Sequence, residues 1–411
     1  MKKIVVVGAG ASGLMAAITA ARCGAQVTLL EGMEKPGKKL LVTGNGKCNL
    51  TNLKQECADF YRGATTAFIQ TVLRQFTVAD TMQFFEELGL LLTERNGYVY
   101  PNVGQALAVV EILLMECARR HVRIKNREKV TELRYERGHW YIQTEGWHYE
   151  ADAVILAAGS KAAPKTGSDG SGYQLAKSLG HHVISPWEAL TPLKASDACV
   201  KRLAGLRMPI QLTLHIHAEN TDAGSADAIY HESGEVQWTD YGISGIVVFQ
   251  LSRYAVQALQ HGQTVTASLD LLPTLSVESL RHILTTRPAD GTLLQYLTGL
   301  LPAKMIPVLL ERCRLRAEQK ASVLTDAEQE ALLHEIKHFG LTIVGCKGYD
   351  MAQVCAGGVD TCEISADSLE SLLHPGLYFS GELLDVDGIC GGYNLQWAWS
   401  SGYTAGFHAA G

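Results

Sequence analysis

The sequence predicts an α/β fold in which one nucleotide-binding domain is interrupted by an insertion, and three observations lead to this prediction. Residues 3–31 contain a strand, a glycine-rich turn, a helix and a second strand that ends in an acid. Apolar strands that end at glycine recur at residues 151–159 and 377–381. Between residues 193 and 341, short alternating strands give way to helical periodicity, which is typical of a separate domain.

The first strand leads into a glycine motif typical of Rossmann-like dinucleotide-binding domains. An apolar run at residues 4–7 precedes Gly8, Gly10 and Gly13, and a helix-forming segment follows. Gly8 permits a tight turn, Gly10 lets backbone N–H groups approach a pyrophosphate, and Gly13 lets the helix pack close to the strand. Strand, turn and helix occur in the order that the motif requires, so the sequence predicts a dinucleotide site here.

The helix and the second strand are expected to add two further contacts. The helix begins near Ala11 and Ser12, where it presents unpaired N–H groups and the positive end of its dipole to phosphates. Glu31 ends the second strand, where a carboxylate can accept hydrogen bonds from both ribose hydroxyls. An acid at this position disfavours a 2′-phosphate, so the site is expected to hold NAD or FAD rather than NADP.

A basic, glycine-rich loop after Glu31 favours FAD over NAD. An NAD-binding domain normally continues into another helix and strand, whereas residues 37–52 here read GKKLLVTGNGKCNLTN. Lys38 and Lys39 can neutralise a pyrophosphate, and the glycines of the GNG segment let the backbone lie against a flat ring. An ordinary polar surface loop is the alternative interpretation. The GNGK segment contains no histidine, so a flavin held there is expected to be non-covalent.

Two later segments are expected to complete the site. An apolar strand ends in Ala158 and Gly159. Near the C-terminus another strand delivers Glu382 at its end, and Gly391 and Gly392 precede an apolar, helical segment. A helix that starts after glycine offers N–H groups to an electron-rich edge of a ligand.

Together these segments resemble the flavoproteins with two dinucleotide-binding domains, which hold FAD. More narrowly, TGNGKCNLTN at residues 43–52, AQVCAGGV at 352–359 and SGELLDVDGICGGYNLQWAWSSG at 380–402 resemble the BaiN-like, or aminoacetone oxidase-like, family of NAD(P)/FAD-dependent oxidoreductases. The resemblance implies FAD as cofactor and an oxidoreductase activity. The chain departs from the family where Asp240 and Tyr241 replace a usual histidine pattern, so no role of that histidine carries over.

The motifs and the resemblance predict a set of cofactor-binding residues from both ends of the chain. They are Gly8, Gly10, Ala11, Ser12, Gly13, Glu31, Lys38, Lys39, Gly44, Asn45, Gly46, Cys48, Asn49, Val130, Ala158, Gly159, Gly381, Glu382, Asp387, Gly391, Gly392, Tyr393 and Asn394. No catalytic residue is predicted, because the sequence alone places none beside a substrate. No metal ligand is predicted either, since His215 and His217 lie two apart on an alternating strand and are interpreted as a solvent-facing pair.

The change in character along the chain predicts three domain segments. The FAD-binding domain is expected to comprise residues 1–192 and 342–411, with a β-rich domain at 193–274 and a helical subdomain at 275–341. Within the β-rich segment, residues 211–218 alternate with period two, as half-buried strands do.

The composition indicates an enzyme of ordinary size and argues against several other classes. The chain has 411 residues, of which 47% are hydrophobic and 19% charged, enough for more than one buried core. Its net charge of −6 argues against a nucleic-acid partner, and no apolar run is long enough to span a membrane, so a cytoplasmic protein that acts on a small molecule is expected. The ten cysteines are scattered and form no CxxC pair, which argues against a disulfide framework and against disulfide-reductase chemistry.

Three classes of function remain open. The first is a reductase in which NAD(P)H reduces FAD and hydride passes to an activated C=C bond of a small, apolar, enone- or steroid-like substrate. The second is an amine or alcohol oxidase or dehydrogenase, and the third is a regulatory or binding protein that holds FAD. The first is favoured because residues 166–181 are similar to a segment of enone-acting flavoproteins and are expected to bound the substrate pocket. No second glycine motif follows a strand, so NAD(P)H is expected to bind only transiently.

Overall fold

The computed structural model describes residues 1–54, 60–217, 227–286 and 290–411. The chain divides into two compact units, one formed by Met1–Trp187 with Gln353–Gly411 and the other by Glu188–Ala352. The second unit is longer at both ends than the insertion expected at residues 193–341.

Both units contain strands and helices. Within the described residues the strands are β1 (Lys3–Val7), β2 (Gln26–Glu31), β3 (Thr51–Asn52), β4 (Tyr61–Gly63), β5 (Leu92–Arg95), β6 (Tyr98–Pro101), β7 (Arg123–Asn126), β8 (Val130–Glu136), β9 (His139–Thr144), β10 (His148–Ala151), β11 (Ala153–Leu156), β12 (Val183–Ala189), β13 (Leu193–Ala195), β14 (Arg207–His217), β15 (Asp227–Trp238), β16 (Gly242–Ser244), β17 (Thr264–Asp270), β18 (Phe339–Cys346), β19 (Val354–Val359), β20 (Leu377–Phe379) and β21 (Val386–Gly388). The helices of the same residues are α1 (Ala11–Arg22), α2 (Lys38–Val42), α3 (Thr66–Gln75), α4 (Val78–Glu87), α5 (Ala106–Arg119), α6 (Ser171–Ser178), α7 (Val200–Leu203), α8 (Ile246–Gln260), α9 (Val277–Thr286), α10 (Leu293–Leu297), α11 (Met305–Arg312), α12 (Asp326–Lys337) and α13 (Tyr393–Ala410).

A parallel five-stranded sheet in the order β20-β11-β1-β2-β7 forms the centre of the first unit. Val5 of β1 pairs with Val154 of β11 on one side and with Thr28 of β2 on the other. Strands buried on both faces are apolar throughout, which explains the IVVV and AVIL runs. Because all five strands are parallel, their carboxyl ends lie at one edge of the sheet. The predicted α/β, Rossmann-like fold is confirmed.

Helices α1 and α13 pack closely against each other in the same unit. A Cβ added at Gly402 would lie 2.4 Å from the Ser12 carbonyl oxygen, and one added at Gly406 would lie 2.4 Å from that of Ala16. The two glycines therefore set the approach of the helices. This contact joins the glycine motif at the start of the chain to its last helix.

A closed antiparallel barrel in the order β13-β16-β15-β14-β17-β18 forms the second unit, with α9 to α12 between β17 and β18 in sequence. Ile210, Leu212 and Leu214 of β14 are fully buried, so the predicted alternation is confirmed up to His215, after which Ile216 is only half-buried. Residue 218, where that prediction ended, lies outside the described residues.

One strand lies in a different unit from the one expected. Residues 342–346 were assigned to the FAD-binding domain, but they belong to β18, which pairs with β13 and β17 in the barrel. Phe339, Leu341 and Ile343 alternate as buried residues along β18. Their side chains fill the barrel, and this places the strand there.

The helices give no sign of a membrane-spanning segment. Across the described parts of the chain, none of them combines the length and the apolar character that crossing a bilayer requires.

Candidate functional site

The carboxyl edge of the parallel sheet brings four predicted groups together. Gly8 follows β1, Glu31 ends β2, Gly159 follows β11 and Glu382 follows β20. The strands are neighbours in the sheet, so segments far apart in sequence meet at this edge. A cleft there encloses about 990 Å³ of empty space, including its open mouth. The predicted residues that line it are Gly8, Gly10, Glu31, Lys38, Lys39, Val130, Ala158 and Gly159.

The three glycines of the motif serve two different needs. Gly8 has a φ of +99°, and an added Cβ would lie 2.5 Å from the Ala157 carbonyl oxygen. An added Cβ at Gly13 would lie 1.9 Å from the Gly8 carbonyl oxygen. At Gly10 an added Cβ would meet nothing within 4 Å. Gly8 and Gly13 are therefore required by the packing of strand and helix, whereas Gly10 keeps space open in the cleft.

Helix α1 begins beside that open space, and Ala11, Ser12 and Gly13 form its first turn. Gly10 provides no side-chain cap, and the first turn contains no acidic residue. The leading N–H groups of α1 are thus free of a side-chain acceptor at the Gly10 cap. A helix start of this kind attracts an anion such as a phosphate.

Glu31 is held in place by two backbone donors. Its Oε2 accepts a hydrogen bond from the N–H of Ala9 at 2.8 Å, and its Oε1 accepts one from the N–H of Met33 at 2.8 Å. Each carboxylate oxygen retains further capacity to accept a hydrogen bond. The side chain is therefore a fixed acceptor at the rim of the cleft.

The segment expected to bound the substrate pocket lies instead beside Glu31. Thr166, Gly167, Ser168 and Asp169 line the cleft. A Cβ added at Gly167 would lie 2.7 Å from Cγ of Met33 and 3.8 Å from Oε1 of Glu31. This location makes the segment a wall of the cleft near Glu31.

Lys129 and Asp169 form an ion pair at the same end. The Lys129 Nζ and the Asp169 Oδ2 are 2.6 Å apart, and both residues line the cleft, as does the neighbouring Val130. Burial raises the pKa of Asp169, but hydrogen bonds from Lys129 and Ser171 outweigh it, so the net shift of the pKa is downward. The pair is therefore charged at neutral pH.

Glu382 lies in a second charged cluster, and its partners include a residue that the sequence did not reveal. The Lys39 Nζ is 2.6 Å from the Glu382 Oε2, and the Ser160 Oγ donates to the same oxygen at 2.8 Å. Ser160 is fully buried. The one feature of the sequence that could have indicated Ser160 is its position directly after Gly159, close to the end of a strand. Cys355 is a neighbour of Ser160, and burial raises the pKa of its thiol to about 11.

The predicted flavin loop folds into a tight turn at Thr43–Gly46. Gly44, Asn45 and Gly46 have φ angles of 55°, 57° and 79°. Cys48 is fully buried, and burial raises the pKa of its thiol to about 12, so it is a packed, neutral thiol. The side-chain oxygen of Asn49 is buried and has no hydrogen-bond partner among the described residues.

The C-terminal loop before α13 carries Gly391 and Gly392, with φ angles of +119° and +96°. An added Cβ at Gly391 would lie 2.7 Å from the ring of Tyr98, and one at Gly392 would lie 2.6 Å from the carbonyl carbon of Thr51. Both glycines are therefore required where the loop passes β3 and β6. Helix α13 starts at this loop without an acidic residue in its first turn.

Four other predicted residues shape the C-terminal segment from within. The Asn394 side chain accepts from the Gly388 N–H and donates to the Gly388 carbonyl oxygen, both at 2.8 Å. Tyr393 is buried, its hydroxyl donates to the Lys54 carbonyl oxygen at 3.3 Å, and burial raises its pKa to about 12. Asp387 is 3% exposed on β21. At Gly381 an added Cβ would lie 2.4 Å from the Ser12 Oγ.

These features fit an FAD molecule. Gly10 leaves an open cradle beside a helix start, Glu31 offers fixed acceptors, and Asn49 holds a buried oxygen without a partner. Lys38 lines the cleft and forms no ion pair within the described chain, so its charge is available to a phosphate.

Metal and disulfide chemistry find no support in the described residues. No group of three or more potential ligands there could hold a metal ion. His215 and His217, which were expected to face solvent, are both half-buried: the Nε2 of His217 lies 3.0 Å from the Thr266 hydroxyl, and burial lowers the pKa of His215. Nine cysteines are described, and all are free thiols.

Comparison with known proteins identifies the family of the chain. The family model described as HI0933-like protein Rossmann domain matches residues 2–408. The chain is 43% identical to the 3-dehydro-bile acid delta(4,6)-reductase of Clostridium scindens, over 100% of this chain and 99% of that protein. It is also 32% identical to the ribosomal RNA dihydrouridine synthase of Haemophilus influenzae and 29% identical to that of Escherichia coli, each over 97% of this chain and 96% of the other.

Proposed function

Because the chain belongs to the HI0933-like family, we propose that it is an FAD-dependent reductase that adds hydride to an activated C=C bond of a small, apolar, enone-like substrate. The family predicted from the motifs is confirmed by this membership. The observation that carries the proposal is the carboxyl edge of the sheet, where Gly10, Glu31 and Lys39 line one cleft and Lys39 is paired with Glu382.

The chemistry named for the three relatives supports a reductase. A delta(4,6)-reductase of a 3-dehydro-bile acid and a dihydrouridine synthase both saturate a C=C bond that is conjugated to a carbonyl group. We favour the steroid-like class over RNA because the relative with that activity is the more similar of the two. The net charge of −6 also lacks the basic balance that RNA-binding proteins usually show.

Different residues of the cleft would bind different parts of the cofactor. Glu31 would bind the adenosine ribose, with Val130 nearby, and the start of α1 at Gly10 would bind the pyrophosphate. Lys38 would add positive charge. When bound, the flavin supplies the hydride chemistry, and the protein supplies orientation and electrostatics.

The Glu382 cluster would hold the part of the cofactor beyond the pyrophosphate. Lys39 and Ser160 both bond to Oε2 of Glu382, and these two contacts orient the carboxylate. Ser160 is fully buried, so its hydrogen bond to the carboxylate is shielded from water. A nicotinamide cofactor would act as a transient donor of electrons, since the sequence contains one glycine motif after a strand.

Anaerobic half-reactions test the proposal. We expect NADH or NADPH to bleach the flavin of the purified protein, and a 3-oxo-Δ4 steroid to restore its absorbance faster than air does. The saturated 3-oxo steroid is the matched control and should leave the flavin reduced.

Other outcomes would replace the proposal. Bleaching by an amine or alcohol but by neither nicotinamide would indicate an oxidase or dehydrogenase. Reoxidation of the flavin by unmodified ribosomal RNA but by no enone would indicate that the substrate is a nucleic acid. A flavin that only dithionite reduces would indicate a binding protein.

A further inference from the structure

Strand β6 places two tyrosines between the two glycine loops. Tyr98 and Tyr100 are separated by one residue, so their side chains extend from the same face of the strand. Val99 between them is buried, whereas both tyrosines are half-buried. The face that carries the Tyr98–Tyr100 pair is therefore partly open to a ligand.

Each ring contacts a different loop. A Cβ added at Gly44 would lie 3.8 Å from Cε1 of Tyr100, and one added at Gly391 would lie 2.7 Å from Cε1 of Tyr98. The side-chain N–H of Asn52, on the neighbouring strand β3, donates to the Gly391 carbonyl oxygen at 3.0 Å. Strands β3 and β6 thus fix the pair against both loops that are expected to hold the flavin ring.

The hydroxyl groups of the pair differ from that of a structural tyrosine nearby. Tyr393 donates to the Lys54 carbonyl oxygen and is buried. Neither Tyr98 nor Tyr100 makes a side-chain hydrogen bond within the described part of the chain. Their rings are anchored while their polar ends remain available, which suits groups that bind or protonate a ligand.

We propose that the Tyr98–Tyr100 pair is the substrate-facing wall of the flavin site and that the Tyr100 phenol is the proton donor of the reduction. The inference rests on the proposed function, because it names the proton source for the same reaction. It assigns a catalytic role to a residue outside the set predicted from the sequence.

The proposed reduction needs one hydride and one proton. A bound flavin, reduced by a nicotinamide, would supply the hydride that forms a C–H bond at the β-carbon of the enone. The π electrons move onto the carbonyl group to give an enolate. The O–H bond of Tyr100 breaks as its proton forms the new bond at the α-carbon, and the phenolate regains a proton from water.

The electrostatics of the pair are consistent with this role. Burial raises the pKa of Tyr100, the neighbouring Tyr98 raises it further, and Arg95 opposes both. Since the net shift is upward, the phenol stays protonated at neutral pH. The half-exposed position also gives water access to restore the proton.

Three variants test the proposal: Tyr100→Phe, Tyr98→Phe and, as a matched control, Tyr135→Phe on β8. In Tyr100→Phe we expect reduction of the flavin by NAD(P)H at the rate of the unmodified protein. Reoxidation by the enone should slow about a hundredfold or more, as loss of a general acid does. In the unmodified protein the rate of reoxidation should fall as the pH rises towards the pKa of the Tyr100 phenol. In Tyr100→Phe this fall should be absent. Tyr135→Phe should match the unmodified protein in both steps.

A second measurement does not depend on turnover. Electron transfer from a nearby phenol quenches flavin fluorescence, so the bound flavin should fluoresce more strongly in Tyr98→Phe and Tyr100→Phe than in Tyr135→Phe. Unchanged flavin fluorescence in both variants would show that the Tyr98–Tyr100 pair does not lie beside the flavin ring. Reoxidation of Tyr100→Phe at an unchanged rate would overturn the donor role even if the fluorescence rises. If no enone reoxidises the unmodified protein, the proposed function fails and the donor role with it, while the fluorescence still reports whether the pair lies at the ring.

Discussion

The two ends of the candidate cofactor site are built in different ways. The ribose end is formed mainly by one continuous stretch, from the turn at Gly8 to Glu31, and by residues 166–169 beside it. The ring end is assembled from the turn at Thr43–Gly46, strand β6 and the loop at Gly391. Its parts come from three separate regions of the chain, and only the tertiary fold brings them together.

The glycines of the two ends also differ in what they accommodate. At Gly8 and Gly13 an added Cβ would strike backbone atoms of the same sheet and helix. At Gly46 the nearest atom to an added Cβ is the Leu41 carbonyl oxygen at 3.8 Å, so the fold alone does not exclude a side chain there. Packing within the fold therefore requires Gly8 and Gly13, whereas an added Cβ at Gly46 would strike no neighbouring atom.

The largest expected effect distinguishes two glycines of one motif. Gly13→Ala should lower the free energy of unfolding of the flavin-free protein by about 3 kcal/mol or more, because its Cβ overlaps the Gly8 carbonyl oxygen. Gly10→Ala should leave that free energy nearly unchanged but weaken FAD binding, since its Cβ enters the open cleft. Chemical denaturation of the two stripped variants measures the difference. Equal stability of both variants would show that the helix does not approach the strand as described.

Removal of the ribose acid should give the next largest effect. Glu31→Ala deletes acceptors for two charge-assisted hydrogen bonds, each worth about 1.5–3 kcal/mol. Titration of the stripped protein should show weaker binding of both FAD and ADP. The matched control is Glu34→Ala, because Glu34 is exposed and pairs with Arg127 away from the cleft lining. Full ADP affinity in Glu31→Ala would place the ribose elsewhere.

A variant at the ring end should distinguish binding of the flavin ring from binding of the ADP part of the cofactor. Gly46→Ala places a side chain at a φ of +79°, which costs about 1 kcal/mol of stability. It should weaken binding of FAD but leave binding of ADP unchanged, since ADP does not reach the Thr43–Gly46 turn. If FAD affinity also stays unchanged, that turn is an ordinary surface loop.

The smallest expected effect concerns the Lys129–Asp169 pair. Both side chains are about half exposed, so Lys129→Met should speed FAD dissociation only a few-fold, in keeping with the small energies of exposed ion pairs. The pKa of Asp169 is lowered, so the contribution of the pair is present at neutral pH and is lost as the pH falls through that pKa. Stopped-flow release of FAD at low and high salt measures it. A dissociation rate that does not respond to salt in the unmodified protein would exclude the role.

The same comparison explains what the sequence could and could not predict. The ribose end was predictable because turn, helix start and acid follow one another in the order that the motif requires. Ser160 was missed although it follows Gly159, because its role depends on Glu382, which lies on another strand. The position of Tyr98 and Tyr100 beside the two glycine loops could not be predicted for a similar reason, since only the pairing of β3 with β6 brings them there.

The domain boundary at residue 342 shows a second limit of sequence reasoning. An apolar strand after a run of helices has the same local pattern whether it resumes a parallel sheet or closes a barrel. The antiparallel partners β13 and β17 decide its location, and neither is visible from the strand itself.

The central claim is that one FAD molecule extends from the ribose end to the ring end, and titration of the stripped protein with FAD and with FMN tests it most directly. We predict that FAD binds with one molecule per chain. FMN, which has no adenosine for Glu31, should bind about a hundredfold more weakly, corresponding to roughly 3 kcal/mol. Equal affinities for FAD and FMN, or no binding of either flavin, would contradict the account.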